Sequence, residues 1–267
     1  MAFLQFSFLS STLGINTDLN IILPDLMPDE VEQVSKGNIK FQTLYLLHGY
    51  SGDYSDWIRF SSIERYAKKH RLAVVMPSAG KSFYTNTAGG DHYWDYIADE
   101  VPQIAQSYFP LSNKYEDNFV AGLSMGGYGA LKLALRRPKQ FCAAVSLSGI
   151  MDIASFIEAC DANPNLIPNC EAPNFHTVFG KELLIKDSEN DLFYLIKKRK
   201  EPLPQCRMYC GDNDFLIEDN KKFHQFLFEQ NINCELIIDN GGHEWDFWDS
   251  QIEKALEWLP LKHTFVH

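Results

Sequence analysis

The chain has 267 residues, 45% of them apolar and 22% charged, proportions that suit a globule and argue against a disordered chain. Its 35 acidic and 24 basic residues leave a formal charge of −11. Such a surface repels phosphate backbones and anionic lipid, so neither nucleic acid nor a membrane is expected as a partner. No apolar run reaches the ~18 residues that a membrane span needs.

The opening stretch from Met1 to Phe8 has no basic head, and its apolar residues alternate with polar ones. It reads as a strand and not as an export signal, which makes the cytoplasm the expected compartment. Phe3 to Ser10 and Asp18 to Pro24 form a hairpin region, and the polar stretch from Asp25 to Asn38, broken by Pro28 and Gly37, reads as a loop. From Phe41 onward the pattern changes. Short apolar runs recur at Thr43 to Leu47, Leu72 to Met76, Asn118 to Ala121, Ala143 to Leu147, Arg207 to Cys210 and Cys234 to Ile238. Runs without alternation suit strands buried on both faces of a parallel sheet. Between them lie helix-compatible segments at Ser61 to His70, Tyr93 to Tyr108, Gly126 to Arg137, Ile217 to Gln230 and Phe247 to Leu259. The β–α alternation lapses once, over residues 150–204, a stretch with Pro164, Pro168 and Pro173 that reads as a cap inserted into one α/β domain spanning 1–267.

The six cysteines give no metal pattern: Cys142, Cys206, Cys210 and Cys234 sit in or beside apolar runs, and Cys206-x-x-x-Cys210 lacks a second pair. Cys160 and Cys170 flank the proline-rich stretch and could pair only in an exported protein, so six free thiols are expected. His243-Glu244 does not open an H-E-x-x-H zinc helix, because position 247 is Phe, and no glycine-rich phosphate loop opens a helix. Neither a metal nor any other cofactor is expected. The sequence leaves monomer and homo-oligomer both open.

The strongest local signal is Gly122-Leu-Ser124-Met-Gly126, which follows an apolar run and precedes a segment rich in Ala and Leu. This is the strand–turn–helix setting of a nucleophilic serine: small flanking residues permit a tight turn that lifts the hydroxyl clear of the sheet. Serine is a weak nucleophile at neutral pH and needs a base held by an acid. In the order Ser, acid, His, the base is His243, in Gly241-Gly242-His243 directly after an apolar run, whereas His224 falls mid-helix and His263 and His267 in the tail. The acid belongs to Gly211-Asp212-Asn213-Asp214, where both aspartates fit by position. Asp214, on the far arm of the loop, is the better candidate, with Asp212 bracing the turn. An oxyanion needs two backbone N–H donors. Met125 supplies one, and Tyr50, in His48-Gly49-Tyr50 after another apolar run, supplies the other, with the His48 ring tying down the loop. His92, Tyr93 and Trp94 follow a glycine pair and are candidates to line the substrate pocket, with aromatic packing at a helix start as the equal reading.

Five phrases, in this order, carry a resemblance: Tyr45-Leu-Leu-His-Gly49, Val75-Met-Pro77, Ala121-Gly-Leu-Ser-Met-Gly-Gly-Tyr-Gly129, Gly211-x-x-Asp214-Phe-Leu and Gly242-His-Glu-Trp245. With them the chain resembles the esterase D-like branch of the α/β-hydrolases, above all the tributyrin and feruloyl esterases. The resemblance implies a mostly parallel sheet with an antiparallel N-terminal hairpin and helices on both faces. It implies Ser124, Asp214 and His243 as triad, and a small-molecule ester with a short acyl or hydroxycinnamoyl group as substrate. Trp245, beside the base in its matching phrase, joins His92 and Trp94 as a substrate-binding candidate. S-formylglutathione hydrolases of the same branch carry His before the elbow serine and after its glycine pair. Leu123 and Tyr128 stand there in this chain, which favours the tributyrin and feruloyl side.

Overall fold

A computed structural model describes residues 1–163, 166 and 175–262. Strands β1 (Ala2–Leu9) and β2 (Asn16–Leu23) form an antiparallel hairpin with Ala2 opposite Leu23. Helix α1 (Pro28–Ser35) follows, then β3 (Thr43–Leu47), α2 (Asp56–Phe60), α3 (Ile63–His70) and β4 (Ala73–Pro77). A short α4 (Tyr93–Asp95) runs through a π turn at Tyr96–Glu100 into α5 (Val101–Tyr108). Next come β5 (Asn118–Leu123), α6 (Met125–Arg136) and β6 (Ala143–Leu147). Helices α7 (Ile153–Ala162), α8 (Phe175–Phe179) and α9 (Leu192–Lys198) precede β7 (Gln205–Gly211), α10 (Ile217–Glu229), β8 (Cys234–Asp239) and α11 (Trp245–Trp258). The eight strands lie in the order β1-β2-β4-β3-β5-β6-β7-β8. β2 runs antiparallel to β4, and every pair from β4 through β8 is parallel.

Every residue of β3 to β6 is buried, because both faces of the sheet are covered. Alternate residues serve two cores. Tyr45, Leu47, Val75 and Val120 meet residues of α5, α6, α10 and the 150–204 segment. Leu44, Leu46, Val74 and Phe119 meet α3 and α11 on the opposite face. This double burial removes the alternation that marks a half-solvated strand.

Two expectations require correction. The stretch from Asp25 to Asn38 is not all loop: it holds α1, which buries none of its residues and so has no apolar stripe to read. Its start is set by Pro28 and by the Glu30 carboxylate, which accepts from the Met27 N–H at 2.8 Å and from Arg71 at 2.7 and 2.8 Å. The segment from Tyr93 to Tyr108 is helical but not one α-helix. The π turn places Glu100 where its carboxylate accepts from the hydroxyls of Ser10 and Ser11 and the Ser11 N–H, a tertiary demand from the far end of the β1–β2 hairpin. Cys170 and the prolines at 164, 168 and 173, with His263 and His267, lie outside the described residues. Cys142, Cys160, Cys206, Cys210 and Cys234 are free thiols. Among the described residues, no helix is long and apolar enough to cross a membrane.

Candidate active site

The site sits at the carboxyl ends of the central strands, where β5 ends and α6 begins. Ser124 joins them in a left-handed conformation, φ 53° and ψ −119°. Such strain persists only where packing over-determines it. Here a Cβ on Gly122 would stand 2.4 Å from the Gly126 carbonyl oxygen, and one on Gly126 2.6 Å from the carbonyl oxygens of Leu47 and His48. The glycines let the elbow and the β3 loop close on each other. The Ser124 N–H donates to the Leu147 carbonyl at 2.8 Å. Met125 opens α6, so its N–H has no acceptor within the helix, and the helix dipole is positive there.

His243 leaves the end of β8 and Asp214 the end of β7. The Ser124 Oγ lies 2.9 Å from His243 Nε2, and His243 Nδ1 lies 2.9 Å from Asp214 Oδ2 and 3.1 Å from Oδ1. With Asp214 accepting from Nδ1–H, Nε2 carries the lone pair that faces the serine hydroxyl. Burial alone would push the Asp214 carboxyl up. Its hydrogen bond and charge interaction with His243 and the bond from the Leu216 N–H outweigh that and hold it below the usual carboxylate range. Asp212 stays outside this pair: its Oδ1 accepts from the Gly241 N–H at 3.1 Å and from Asn213 Nδ2 at 2.8 Å, bracing the loop that carries His243.

The β3 loop is fixed by three buried groups. His48 Nε2 accepts from the Ala79 N–H at 2.8 Å, which leaves Nδ1–H to donate to the Gly49 carbonyl at 2.6 Å. Burial, offset in part by that carbonyl, lowers His48 to about 4, so the ring is neutral. The Tyr84 hydroxyl donates to the His48 carbonyl at 2.9 Å, and Trp57 Nε1–H to the Leu47 carbonyl at 3.0 Å. A Cβ on Gly49 would lie 3.7 Å from the Ser124 Cβ, which puts the loop and Tyr50 beside the serine.

Tyr50 and Tyr93 line a cavity of about 270 Å³ with Lys81, Ser82, Thr87, Asp91, Thr177 and Val178. That is just under the ~300–1,000 Å³ of most small-molecule sites. Phe83 packs behind it against Tyr50, Tyr128, Phe175 and Phe179, with ring centroids 5.7, 6.5, 5.8 and 5.7 Å away. The other pocket candidates fall elsewhere. Trp94 is buried beneath α6, with the Arg136 guanidinium 3.8 Å above its ring. His92 is exposed and faces Asp95 at 3.4 Å. Trp245 packs edge-on against Trp57 and Trp248 on the opposite side of the sheet. His224 is half-buried in α10.

Sequence reading missed the supports. Lys132, fully buried in α6, donates to the Tyr84 carbonyl at 3.0 Å and to Asn190 Oδ1 at 2.7 Å, and burial drives its amine well below the usual range. Tyr128 donates to the Asn190 carbonyl at 2.9 Å. These bonds tie the 150–204 segment to the helix behind the serine. A lysine among the apolar residues of Ala130-Leu-Lys-Leu-Ala134 was the one signal available.

Asp219 accepts from the N–H of Met151 at 2.7 Å and of Asp152 at 3.3 Å, fixing the turn after β6. Burial pushes its carboxyl up to about 6. A carboxyl raised on folding binds its proton more tightly in the native state. Its stabilising contribution is therefore full below the unfolded value near 3.8 and lost as pH rises through about 6. Asp219→Asn keeps one acceptor oxygen and removes the buried charge. It is expected to gain about 1 kcal/mol at pH 8 and nothing at pH 4 relative to the parent. Urea unfolding at the two pH values checks this, and a loss at pH 8 refutes it.

The arrangement is that of a serine hydrolase, and similarity to known proteins agrees. The family model described as "Putative esterase" matches residues 10–259. The chain belongs to this esterase family. It is 35% identical to an acetyl esterase of Caldicellulosiruptor saccharolyticus over 265 residues, covering 97% of this chain and 98% of the relative. Two Staphylococcus aureus structures superpose over 97% of this chain and 98% of theirs. One is the fluorophosphonate-binding serine hydrolase FphF (34% identity, TM-score 0.86), the other the S-formylglutathione hydrolase FrmB (35%, TM-score 0.84). A ferulic acid esterase shares the α/β-hydrolase fold at 22% identity and TM-score 0.76. The esterase is a carboxylic ester hydrolase.

Proposed function

We propose that Ser124 is the nucleophile, His243 the general base and Asp214 the orienting acid of a cytoplasmic serine carboxylesterase acting on small esters. The observation that carries the reading is the unbroken chain Ser124 Oγ to His243 Nε2 at 2.9 Å and His243 Nδ1 to Asp214 Oδ2 at 2.9 Å. Ser124 attacks the ester carbonyl as His243 takes its proton. The N–H groups of Met125 and Tyr50 hold the oxyanion. His243 returns the proton to the leaving alcohol, and water then repeats the cycle on the acyl-enzyme. One α/β domain carries these groups, with residues 150–204 as its cap. A fluorophosphonate probe is expected to label the parent at Ser124 and to leave Ser124→Ala unlabelled. Labelling at another residue refutes the assignment.

The reading extends to a short acyl group: Tyr50, beside Ser124, carries the Phe83 ring, which packs in turn on Phe175 and Phe179 and fills the space next to the oxyanion loop. A methylene that fits adds about 0.8 kcal/mol of binding, whereas overfilling costs ~1–3 kcal/mol. Over p-nitrophenyl esters, kcat/KM is expected to peak between acetyl and butyryl and to fall by octanoyl. A maximum at eight carbons or beyond, or activation by an oil–water interface, refutes this. The 35% identity to an S-formylglutathione hydrolase favours a second reading, thioester hydrolysis. Comparing kcat/KM for S-formylglutathione with that for a butyrate ester separates the two.

A further inference from the structure

Phe83 and Tyr84 are adjacent, fully buried and both in the left-handed region, at φ 51° and 49°. Two bulky rings in succession are costly there, and such strain persists only where the surroundings over-determine it. The Tyr84 N–H donates to Ser82 Oγ at 3.1 Å, and the Tyr84 carbonyl accepts from Lys132 Nζ at 3.0 Å. The Tyr84 ring lies so close to α6 that a Cβ on Gly129 would stand 2.5 Å from it. An extended backbone would send the two side chains to opposite faces. The left-handed pair brings both to one loop: the Phe83 ring packs on Tyr50, and the Tyr84 hydroxyl donates to the His48 carbonyl at 2.9 Å. Burial pushes that phenol well above its usual range, so it remains a donor.

The His48 carbonyl also faces Gly126 across a gap too small for a Cβ. The Gly49 carbonyl, one amide further on, accepts from His48 Nδ1–H at 2.6 Å and from the Gly52 N–H at 3.2 Å. Both amides are trans, and a trans amide points its N–H opposite to its C=O. The bonds to the Gly49 carbonyl therefore set the direction of the Tyr50 N–H, which belongs to the same amide. We propose that Tyr84 is a positioning residue for the oxyanion loop: its hydroxyl anchors the His48–Gly49 amide and, with the Phe83 ring against Tyr50, aims the Tyr50 N–H at the place where the ester oxygen gains its charge. This rests on the triad and oxyanion reading above. A preorganised donor acts on the charge that develops in the transition state, so its misalignment costs turnover more than substrate affinity.

The decisive variant is Tyr84→Phe, which keeps the ring and deletes the hydroxyl. Its kcat is expected to fall about tenfold, with KM within about twofold of the parent. An alkyl trifluoromethyl ketone supplies a readout that a mere loss of stability does not move. Ser124 Oγ adds to the ketone carbon, the carbonyl π pair passes to oxygen and the hydroxyl proton passes to His243, so the adduct carries the same oxyanion. Its Ki is expected to rise by about the same tenfold. The acid limb of kcat/KM is expected to stay at its parent position, because Asp214 and His243 are untouched. Phe83→Leu repeats the test from the other contact: the phenol stays, the ring against Tyr50 goes, and kcat and Ki are expected to move in the same directions. Tyr45→Phe is the control. It deletes a buried hydroxyl toward the other end of β3, 3.3 Å from Gln106 Nε2, and is expected to keep parent kcat and Ki. Parent kcat or Ki in either variant, a moved acid limb in Tyr84→Phe, or an equal loss in Tyr45→Phe overturns the proposal. If the parent takes no fluorophosphonate label at Ser124, the triad reading falls and this proposal with it. Label at Ser124 with unaltered Tyr84→Phe kinetics overturns this proposal alone.

Discussion

Ser124→Ala and His243→Ala should each lower kcat by about 10⁴-fold or more, and the double variant should lose little beyond either single one. In the proposed mechanism Ser124 and His243 form one proton-transfer unit, joined by the 2.9 Å contact between Oγ and Nε2. Without the hydroxyl there is no attack for the base to assist. Without the base the hydroxyl keeps its proton and barely reacts. What survives in all three comes from substrate binding and the oxyanion donors, which neither substitution touches. Pre-steady-state and steady-state hydrolysis of a p-nitrophenyl ester measures this. Additive losses would mean that Ser124 and His243 serve separate steps, and the assignment would fail.

The second large effect separates two aspartates only two residues apart. Asp214→Asn is expected to lower kcat on the order of 10⁴-fold, because an amide can donate to Nδ1 and so stabilise the tautomer with the proton on Nε2, facing the serine. Asp214 is 2% exposed and faces His243 Nδ1 with Oδ2 at 2.9 Å and Oδ1 at 3.1 Å, Oδ1 also accepting from the Leu216 N–H at 2.9 Å. Asp212→Asn retains the Oδ1 acceptor for the Gly241 N–H, and is expected to change kcat less than about threefold and stability by ~0.5 kcal/mol. Steady-state kinetics with urea unfolding on both variants decides. A reversed ranking would transfer the role of acid to Asp212.

Legibility along the chain followed the range of the interactions involved. The boundaries of β3 and β6 read from the sequence are those observed, because a strand covered on both faces is apolar end to end. Ser124 was legible for a similarly local reason, since the close approach of Gly122 and Gly126 to their neighbours demands glycine on each side of the elbow. Helix α1 escaped because it buries nothing and is held by Arg71, which lies 41 residues from Glu30. The aromatic run from His92 to Trp94 was ambiguous because ring residues suit a pocket and a core equally. Contacts divided them, with Trp94 under the Arg136 guanidinium and Tyr93 at the cavity.

The sequence by itself determined the α/β-hydrolase fold, the elbow serine, the histidine after β8 and a preference for Asp214 over Asp212. Each rests on a local pattern: apolar runs of strand length, glycines at a forced turn, an Asp-rich loop at a strand end. Only the tertiary structure decided which aspartate meets the imidazole, and that Tyr84 and Lys132 stand around the site. Their partners lie far away along the chain, 48 residues for Lys132 to Tyr84. No local pattern records such a pairing, because each is created when the sheet brings the ends of β3 to β8 side by side.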